Sequence, residues 1–279
     1  RPIMAGTRGL ILGVANEKSI AWGITSAAPA HGAELAFTYQ NDAIKRRVDE
    51  DPTPGQYILT GSQNLALLRR TAESLAGRAG VVDLEPLTVG EQAGLAREGG
   101  WLREWLEAPD AFAQRGAKAC SDVPLLSLLW RGGFPGLLDR PDALVPEIFD
   151  SYLRTYVQRD VRLAGDVRDI GEFGRFLGPC AGLSAQEINH SQLGREIGVT
   201  PQTSARWLDT LKATGLWSET PPWHGNTLKR LSRRGKGYLA DVGLAAHLQR
   251  LPGPAALEVS PLLGALFESA VVGEVRRMA

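Results

Sequence analysis

The run S-Q-L-G-R-E-I-G-V-T-P-Q-T-S-A-R-W-L-D-T-L-K, residues 191–212, decides the fold of the C-terminal part of the chain. Residues 191–197 are apolar-periodic and predict a short helix. Gly198 follows and is suited to the positive φ of a tight turn. Thr200 can cap the N-terminus of a second helix, and Pro201 fits the first position of that helix. The run therefore predicts two helices joined by a short turn.

The second predicted helix has one apolar and one polar face. Trp207, Leu208 and Leu211 recur at helical spacing and are expected to point inward. Gly194 is expected to weaken the first helix by about 1 kcal/mol relative to alanine. Two such helices are typical of a helix-turn-helix motif, whose second helix contacts nucleic acid through its outward residues. The outward residues that we predict to make these contacts are Gln202, Thr203 and Arg206.

A basic stretch between two predicted strands follows the second helix. Residues 216–220 read as one strand and residues 237–241 as the returning strand. The basic side chains of the connection predicted to contact phosphates are Lys229, Arg230, Arg233 and Arg234. Two strands around such a connection form a wing that can lie along a phosphate backbone. The same fold also serves as a protein-facing or internal packing module, so both DNA and a protein remain possible partners.

Three motifs follow one another between residues 58 and 91. They are I-L-T-G-S-Q-N-L at residues 58–65, E-S-L-A-G-R at 73–78 and L-E-P-L-T-V-G-E at 84–91. In this order they resemble bacterial and archaeal AAA-type ATPases that carry a C-terminal domain of unknown function. The resemblance implies ATP and Mg²⁺ as ligands, a sensor-like role for Thr60 and Ser62, and an arginine-finger-like role for Arg78. Alternatively, Arg78 caps or salt-bridges a helix.

Later motifs continue the same resemblance. They are R-G-G-F-P at residues 131–135, Y-L-R-T-Y-V-Q-R-D-V at 152–161, P-P-W-H-G-N at 221–226, Y-L-A-D-V-G-L-A-A-H-L at 238–248 and F-E-S-A-V-V-G-E-V at 267–275. Periodicity predicts that the second of these is a helix with Tyr152, Tyr156 and Val157 on one face. Its simplest role is packing, with a polar end at Arg159 and Asp160. The last motif lies in a predicted amphipathic helix, residues 262–279.

The beginning of the chain has a different pattern. Strand-like residues 10–12, a glycine turn, a helix and a second strand at residues 34–39 predict a Rossmann-like βαβ fragment. The spacing G-x5-S-x-A-x-G at residues 13–23 resembles the N-terminus of bacterial enoyl-acyl-carrier-protein reductases. That resemblance implies NAD as a cofactor and ends near residue 47. The NAD-contacting residues that it implies are Gly13, Ser19, Ile20 and Gln40.

Neither resemblance brings a complete catalytic set. The reductases need a tyrosine and a lysine separated by six residues, whereas Tyr152 is followed at this spacing by Arg159 and Tyr156 by Leu163. The sequence contains no G-x4-G-K-[ST] phosphate-binding loop and no apolar strand ending in Asp-Glu. Turnover by these residues alone is therefore not expected. No cofactor follows from the residues themselves.

The composition is that of a globular protein whose net charge creates no strong electrostatic field. The 279 residues carry zero formal net charge, and no stretch approaches the roughly 20 apolar residues of a membrane helix. Two cysteines far apart and histidines without ligand spacing predict neither a disulfide framework nor a metal site. We therefore expect a cytoplasmic protein without a membrane partner.

Together these patterns predict a mixed α/β N-terminal part, an incomplete Rossmann-like βαβ fragment plus an ATPase remnant, followed by a mainly α-helical winged-helix-like domain. The predicted segments are a reductase-like fragment (1–47), an ATPase remnant (48–100), a helical connector (101–182), the winged helix-turn-helix-like domain (183–250) and a C-terminal helix (251–279). The leading hypothesis is an incomplete AAA-type ATPase with a nucleic-acid-binding or interaction module. The alternatives are an NAD-binding reductase fragment and an artefactual join of two genes.

Overall fold

A computed structural model of the protein describes residues 8–11, 34–37, 84–95, 100–115, 122–162, 167, 169–223 and 234–278. The chain divides into two units, residues 1–82 and residues 83–279. In the first unit, strands β1 (Arg8–Ile11) and β2 (Glu34–Phe37) pair in parallel, with Arg8 opposite Glu34 and Ile11 opposite Phe37. Two predicted strands are thereby confirmed, while the predicted helix between them lies outside the described residues.

The second unit is mainly helical. Its first half contains α1 (Val89–Gln92), α2 (Gly100–Glu107), α3 (Pro109–Arg115), α4 (Leu125–Arg131) and α5 (Val145–Tyr156). Its second half contains α6 (Ile170–Gly182), α7 (His190–Ile197), α8 (Pro201–Ala213), α9 (Val242–Leu248), α10 (Pro254–Glu258) and α11 (Leu263–Met278). Short 3₁₀ turns at Pro135–Leu137 and Asp142–Leu144 precede α5. No described helix is both long and apolar enough to cross a membrane.

Helix α5 continues directly into a π-helical turn, Val157–Val161. Tyr156 is buried, and Tyr152 and Val157 pack against the same core, so the predicted apolar face of this run is confirmed. The predicted polar end of this run is formed by Arg159 and Asp160, whose side chains form an ion pair at 3.0 Å. The π turn was not predicted, because the periodicity of a short run does not distinguish it from an α turn.

The two helices predicted from residues 191–212 and the turn between them are present in the structure. Helix α7 ends at Gly198, which has φ 79°, the left-handed conformation that a glycine adopts without strain. The Thr200 hydroxyl accepts a hydrogen bond from the backbone N–H of Thr203, and Pro201 begins α8. Trp207 is buried between Phe173 and Phe176 of α6, with ring centroids 5.6 and 5.4 Å away. This aromatic cluster fixes the rotation of α8 about its axis.

A three-stranded antiparallel sheet flanks these helices. It consists of β3 (Gln186–Glu187), β4 (Trp217–Thr220) and β5 (Lys236–Leu239), in the order β3-β5-β4. The predicted strands β4 and β5 are confirmed with small shifts in their ends. Strand β3 was not predicted, because two residues are too few to show alternation.

One hydrophobic core joins the helices on both sides of the predicted boundaries at residues 182 and 250. This core includes Leu129 of α4, Phe149 of α5, Phe173 of α6, Leu208 of α8 and Leu266 of α11. The division of this unit into connector, winged domain and terminal helix therefore remains a prediction about sequence segments that share one core.

Gly194 has a packing role that its sequence context did not reveal. A β-carbon at this position of α7 would lie 2.6 Å from the carbonyl oxygen of Val199. We expect Gly194→Ala to lower the free energy of unfolding by about 2 kcal/mol, the usual range for an overpacked site. The control Gly174→Ala lies in α6 with open space around the new methyl group. It should stabilise the protein by about 0.5–1 kcal/mol. Urea unfolding of both variants tests the difference, and equal effects would contradict it.

Candidate nucleic-acid interface

The outer face of α8 carries the predicted contact residues. Gln202 and Arg206 are exposed, and Thr203 is partly exposed. Ser204 lies on the opposite face, and its hydroxyl donates to the backbone carbonyl of His190 at 2.7 Å. Because Ser204 and the aromatic cluster hold the inner face, the side chains of Gln202 and Arg206 face away from the core. Within the described part of the chain, Arg206 has no ion pair.

A groove of about 480 Å³ runs between α8 and the end of the connection to β5, and we call it the α8 groove. Its lining comprises Ile188, Asn189, His190, Ser191, Pro201, Gln202, Ala205, Lys212, Glu219, Arg234 and Gly235. The structure thus brings Gln202 and Arg234 together from segments that are distant in sequence. Thr203 and Arg206 lie outside the groove lining. Lys229, Arg230 and Arg233 fall outside the described residues.

Two carboxylates hold a lysine at the C-terminal end of the α8 groove. The Lys212 ammonium group lies 2.6 Å from Glu219 of β4 and 3.3 Å from Asp209, one turn earlier on α8. Burial lowers the pKa of Lys212, but the hydrogen bonds and charges of Glu219 and Asp209 outweigh this effect and raise the pKa. The charge of Lys212 is therefore largely neutralised by its neighbours. The sequence analysis missed this pair, because residue spacing does not reveal a contact between a helix and a strand.

The predicted nucleotide-contacting residues cannot be placed. Both predicted sets lie outside the described residues. The NAD-contacting set comprises Gly13, Ser19, Ile20 and Gln40, and the ATPase-like set comprises Thr60, Ser62 and Arg78. Among the residues that the structure describes, no group of three or more histidine, cysteine or acidic side chains could hold a metal ion. The only predicted site residues that can be described are therefore those of α8 and Arg234.

Several of the sequence motifs contact one another around a buried carboxylate, that of Asp241, which does not belong to the α8 groove. Asp241, which is 1% exposed, accepts hydrogen bonds from the backbone N–H groups of Gly133 at 2.7 Å and Leu244 at 2.8 Å. The first bond reaches the R-G-G-F-P turn, and the second caps α9. Burial raises the pKa of Asp241, against the opposing effects of its backbone hydrogen bonds and the Arg277 charge.

Helix α11 and the L-E-P-L-T-V-G-E segment close around the same carboxylate. Arg277 donates to the carbonyl oxygens of Ala240 at 3.1 Å and Leu87 at 3.4 Å. Glu274 accepts from the backbone N–H of Val89 at 2.9 Å. Leu87 also donates its N–H to the Gly133 carbonyl at 2.7 Å. We call this cluster, Leu87, Gly133, Asp241, Glu274 and Arg277, the Asp241 junction.

The aromatic residues of the Y-L-R-T-Y run pack onto the same turn. The Phe134 ring lies 4.8 Å from Tyr152 and 5.5 Å from Phe149, in edge-to-face arrangements. Five of the motifs quoted from the sequence therefore contact one another directly or through the Asp241 junction. Their backbone hydrogen bonds and ring contacts hold these segments together, so the motifs have a structural role in the packed unit.

Comparisons with known proteins give separate matches for different parts of the chain. Residues 38–93 match the AAA domain family, and residues 124–255 match a domain of unknown function, DUF8612. The second match crosses the predicted boundaries at residues 182 and 250. The first begins within the segment assigned above to the reductase-like fragment.

Among individual relatives, an uncharacterized protein of Mycobacterium tuberculosis is 29% identical over 228 residues, which are 82% of this chain and 46% of that protein. A counterpart in Mycobacterium bovis matches to the same extent. The chain thus spans about half the length of these relatives.

The N-terminal segment has separate relatives. An enoyl-[acyl-carrier-protein] reductase [NADH] of Rhizobium meliloti is 63% identical over 46 residues, 16% of this chain and 17% of the reductase. The Escherichia coli enzyme is 57% identical over 47 residues, 17% of this chain and 18% of the enzyme. The chain is therefore similar to enoyl-acyl-carrier-protein reductases over its first sixth and to AAA-domain proteins and a domain of unknown function over much of the remainder.

Proposed function

We propose that residues 170–239 form a winged helix-turn-helix module that binds duplex DNA through the outer face of α8 and the basic connection between β4 and β5. The observation that carries this proposal is the element order α6-β3-α7-α8-β4-β5, with β5 in the centre of the sheet. Arg234, at the end of the connection between β4 and β5, lines the α8 groove together with Gln202 of α8, which supports this proposal. A recognition helix beside a wing is the usual arrangement for reading one groove and holding the adjacent backbone.

The charges near α8 support a phosphate-binding role. Arg206 and Arg234 are exposed, and the adjoining connection adds Lys229, Arg230 and Arg233 in sequence. Each phosphate that a protein neutralises changes the slope of log K against log salt concentration by about −0.9 for duplex DNA. A surface of this size should contact about four phosphates, so we expect a slope between about −3 and −5.

We further propose that these 279 residues act without hydrolysing ATP themselves. The similarity to AAA domains over residues 38–93 supports descent of this segment from an ATPase. The sequence has neither the phosphate-binding loop nor the Mg²⁺-binding carboxylates of such enzymes. We therefore propose that ATP and Mg²⁺ were ligands of the ancestral ATPase. The proposed contact with DNA requires neither of them.

Fluorescence anisotropy of a labelled duplex tests the DNA interface. Wild-type protein is titrated at several salt concentrations between about 50 and 300 mM, and Arg206→Ala is titrated in parallel. Loss of one phosphate contact should weaken binding about three- to tenfold at low salt and make the slope shallower by about 1.

A matched arginine elsewhere serves as the control. Arg103 lies on α2, is 68% exposed and pairs with Glu107. Arg103→Ala makes the same change in net charge but should leave DNA affinity within about twofold of wild type, because Arg103 is not among the residues that line the α8 groove. Absence of binding, or binding indifferent to salt, would contradict the DNA role and favour a protein-facing role for the module.

The first unit supports a second candidate function, weak NAD binding by a catalytically incomplete reductase fragment. The parallel pairing of β1 and β2 is the arrangement that a dinucleotide-binding βαβ unit needs. Titration with NADH, followed by its fluorescence, tests this candidate. A saturable signal displaced by NAD would support it, and no binding at about 1 mM cofactor would remove it.

A further inference from the structure

The ion pairs of Lys212 have a consequence for DNA binding. Lys212, Glu219, Gln202 and Arg234 all line the α8 groove. The Lys212 and Glu219 side chains are 37% and 31% exposed, so solvent and ligands reach both of them. A lysine in this position would ordinarily extend the basic surface of α8 and the wing. Instead, its ammonium group is already bound to two carboxylates.

A carboxylate resembles a phosphate in the contacts that it makes with lysine. Both present anionic oxygens at hydrogen-bonding distance from the ammonium group. Asp209 and Glu219 therefore occupy the positions that DNA phosphate oxygens would take around Lys212. They also repel an approaching backbone, because like charges within a few ångströms cost free energy when water is displaced.

We propose that Glu219, assisted by Asp209, acts as an intramolecular competitor of DNA that keeps Lys212 out of the interface and limits its affinity. This inference rests on the proposed function of the module. An exposed ion pair contributes only about 0–1 kcal/mol to stability. Its removal should therefore leave the fold intact while releasing one positive charge into the α8 groove.

The experiment compares wild type, Glu219→Gln and Asp209→Asn by the same duplex anisotropy titration. Glu219→Gln should bind about three- to tenfold more tightly at low salt, with a slope steeper by about 1, because Lys212 then neutralises an additional phosphate. Asp209→Asn should act in the same direction with a smaller effect, since Asp209 is the more distant partner of Lys212, at 3.3 Å.

The double variant Glu219→Gln with Lys212→Ala separates release of the lysine from simple loss of a negative charge. It should return the slope to the wild-type value. Glu107→Gln, which removes a carboxylate paired with Arg103 on α2, is the control for net charge and should leave affinity unchanged.

The outcomes distinguish this inference from the proposed function. If wild type binds with the expected salt dependence and Glu219→Gln binds no more tightly, the competitor role is wrong and the DNA interface stands. If neither protein binds duplex DNA, both proposals are wrong. Thermal unfolding of Glu219→Gln within about 2 °C of wild type would show that any change in affinity is not a folding effect.

Discussion

Asp241→Ala should lower the free energy of unfolding by about 4 kcal/mol, the largest loss expected from a single polar side chain among the residues that the structure describes. The substitution leaves the buried N–H groups of Gly133 and Leu244 without their acceptor. It also removes a negative charge that interacts favourably with the charge of Arg277. Each buried group left unsatisfied costs about 1–3 kcal/mol. Urea unfolding monitored by tryptophan fluorescence measures the loss.

Asp169→Ala is the matched control for this prediction. Asp169 also caps a helix, since its carboxylate accepts from the backbone N–H of Glu172 at 2.8 Å, but it is exposed. Its removal should cost only about 1 kcal/mol, the usual value for an N-cap. Similar losses for the two variants would show that the Asp241 junction contributes no more than a helix cap.

Gly243→Ala should lower the free energy of unfolding by about 3 kcal/mol, although alanine is the better helix former. A β-carbon at this position of α9 would lie 2.4 Å from the carbonyl carbon of Arg131 and 2.5 Å from the backbone nitrogen of Gly132. Backbone atoms cannot rotate away, so α9 would have to move off the R-G-G-F-P turn. Differential scanning calorimetry detects the change as a lower unfolding temperature.

Gly264→Ala provides the control for this clash. Gly264 lies in α11, and apart from its chain neighbours and the backbone of its own helix no heavy atom lies within 4 Å of the added methyl group. The substitution should stabilise the protein by about 0.5–1 kcal/mol through helix propensity. An unchanged unfolding temperature for Gly243→Ala would mean that α9 does not pack against the turn as described.

The features that the sequence predicted correctly depend on neighbours along the chain. The turn at Gly198, the cap at Thr200 and the inward set around Trp207 follow from propensity and helical spacing within a few residues. The same spacing was sufficient to orient Gln202 and Arg206 outward. Sequence patterns were therefore sufficient to predict helices α7 and α8, the turn between them and the outer face of α8.

The features that the sequence missed depend on long-range contacts. Gly194 looked like a weak helix position, whereas its lack of a side chain allows the Val199 carbonyl to approach. The bond between Val89 and Glu274 joins residues that are 185 positions apart. The Lys212–Glu219 pair likewise joins a helix to a strand. Composition and periodicity contain no information about such pairs.

The motifs that stand out most in the sequence are not the residues proposed to act on a ligand. Leu87, Gly133 and Asp241 come from three of them, and each uses backbone groups or a buried carboxylate to hold segments together. The proposed interface is formed by Gln202, Arg206 and Arg234, which lie outside these motifs. The Asp241 junction thus provides the scaffold for the unit that carries the exposed face of α8.

Hydrogen–deuterium exchange with and without duplex DNA tests this division of roles most directly. Peptides covering residues 198–209 and 224–238 should exchange more slowly when DNA is present. Peptides covering 84–92, 131–137 and 240–246 should be unchanged, because the Asp241 junction is already closed in the free protein. Protection of the junction peptides without protection of α8, or no protection anywhere, would contradict the account.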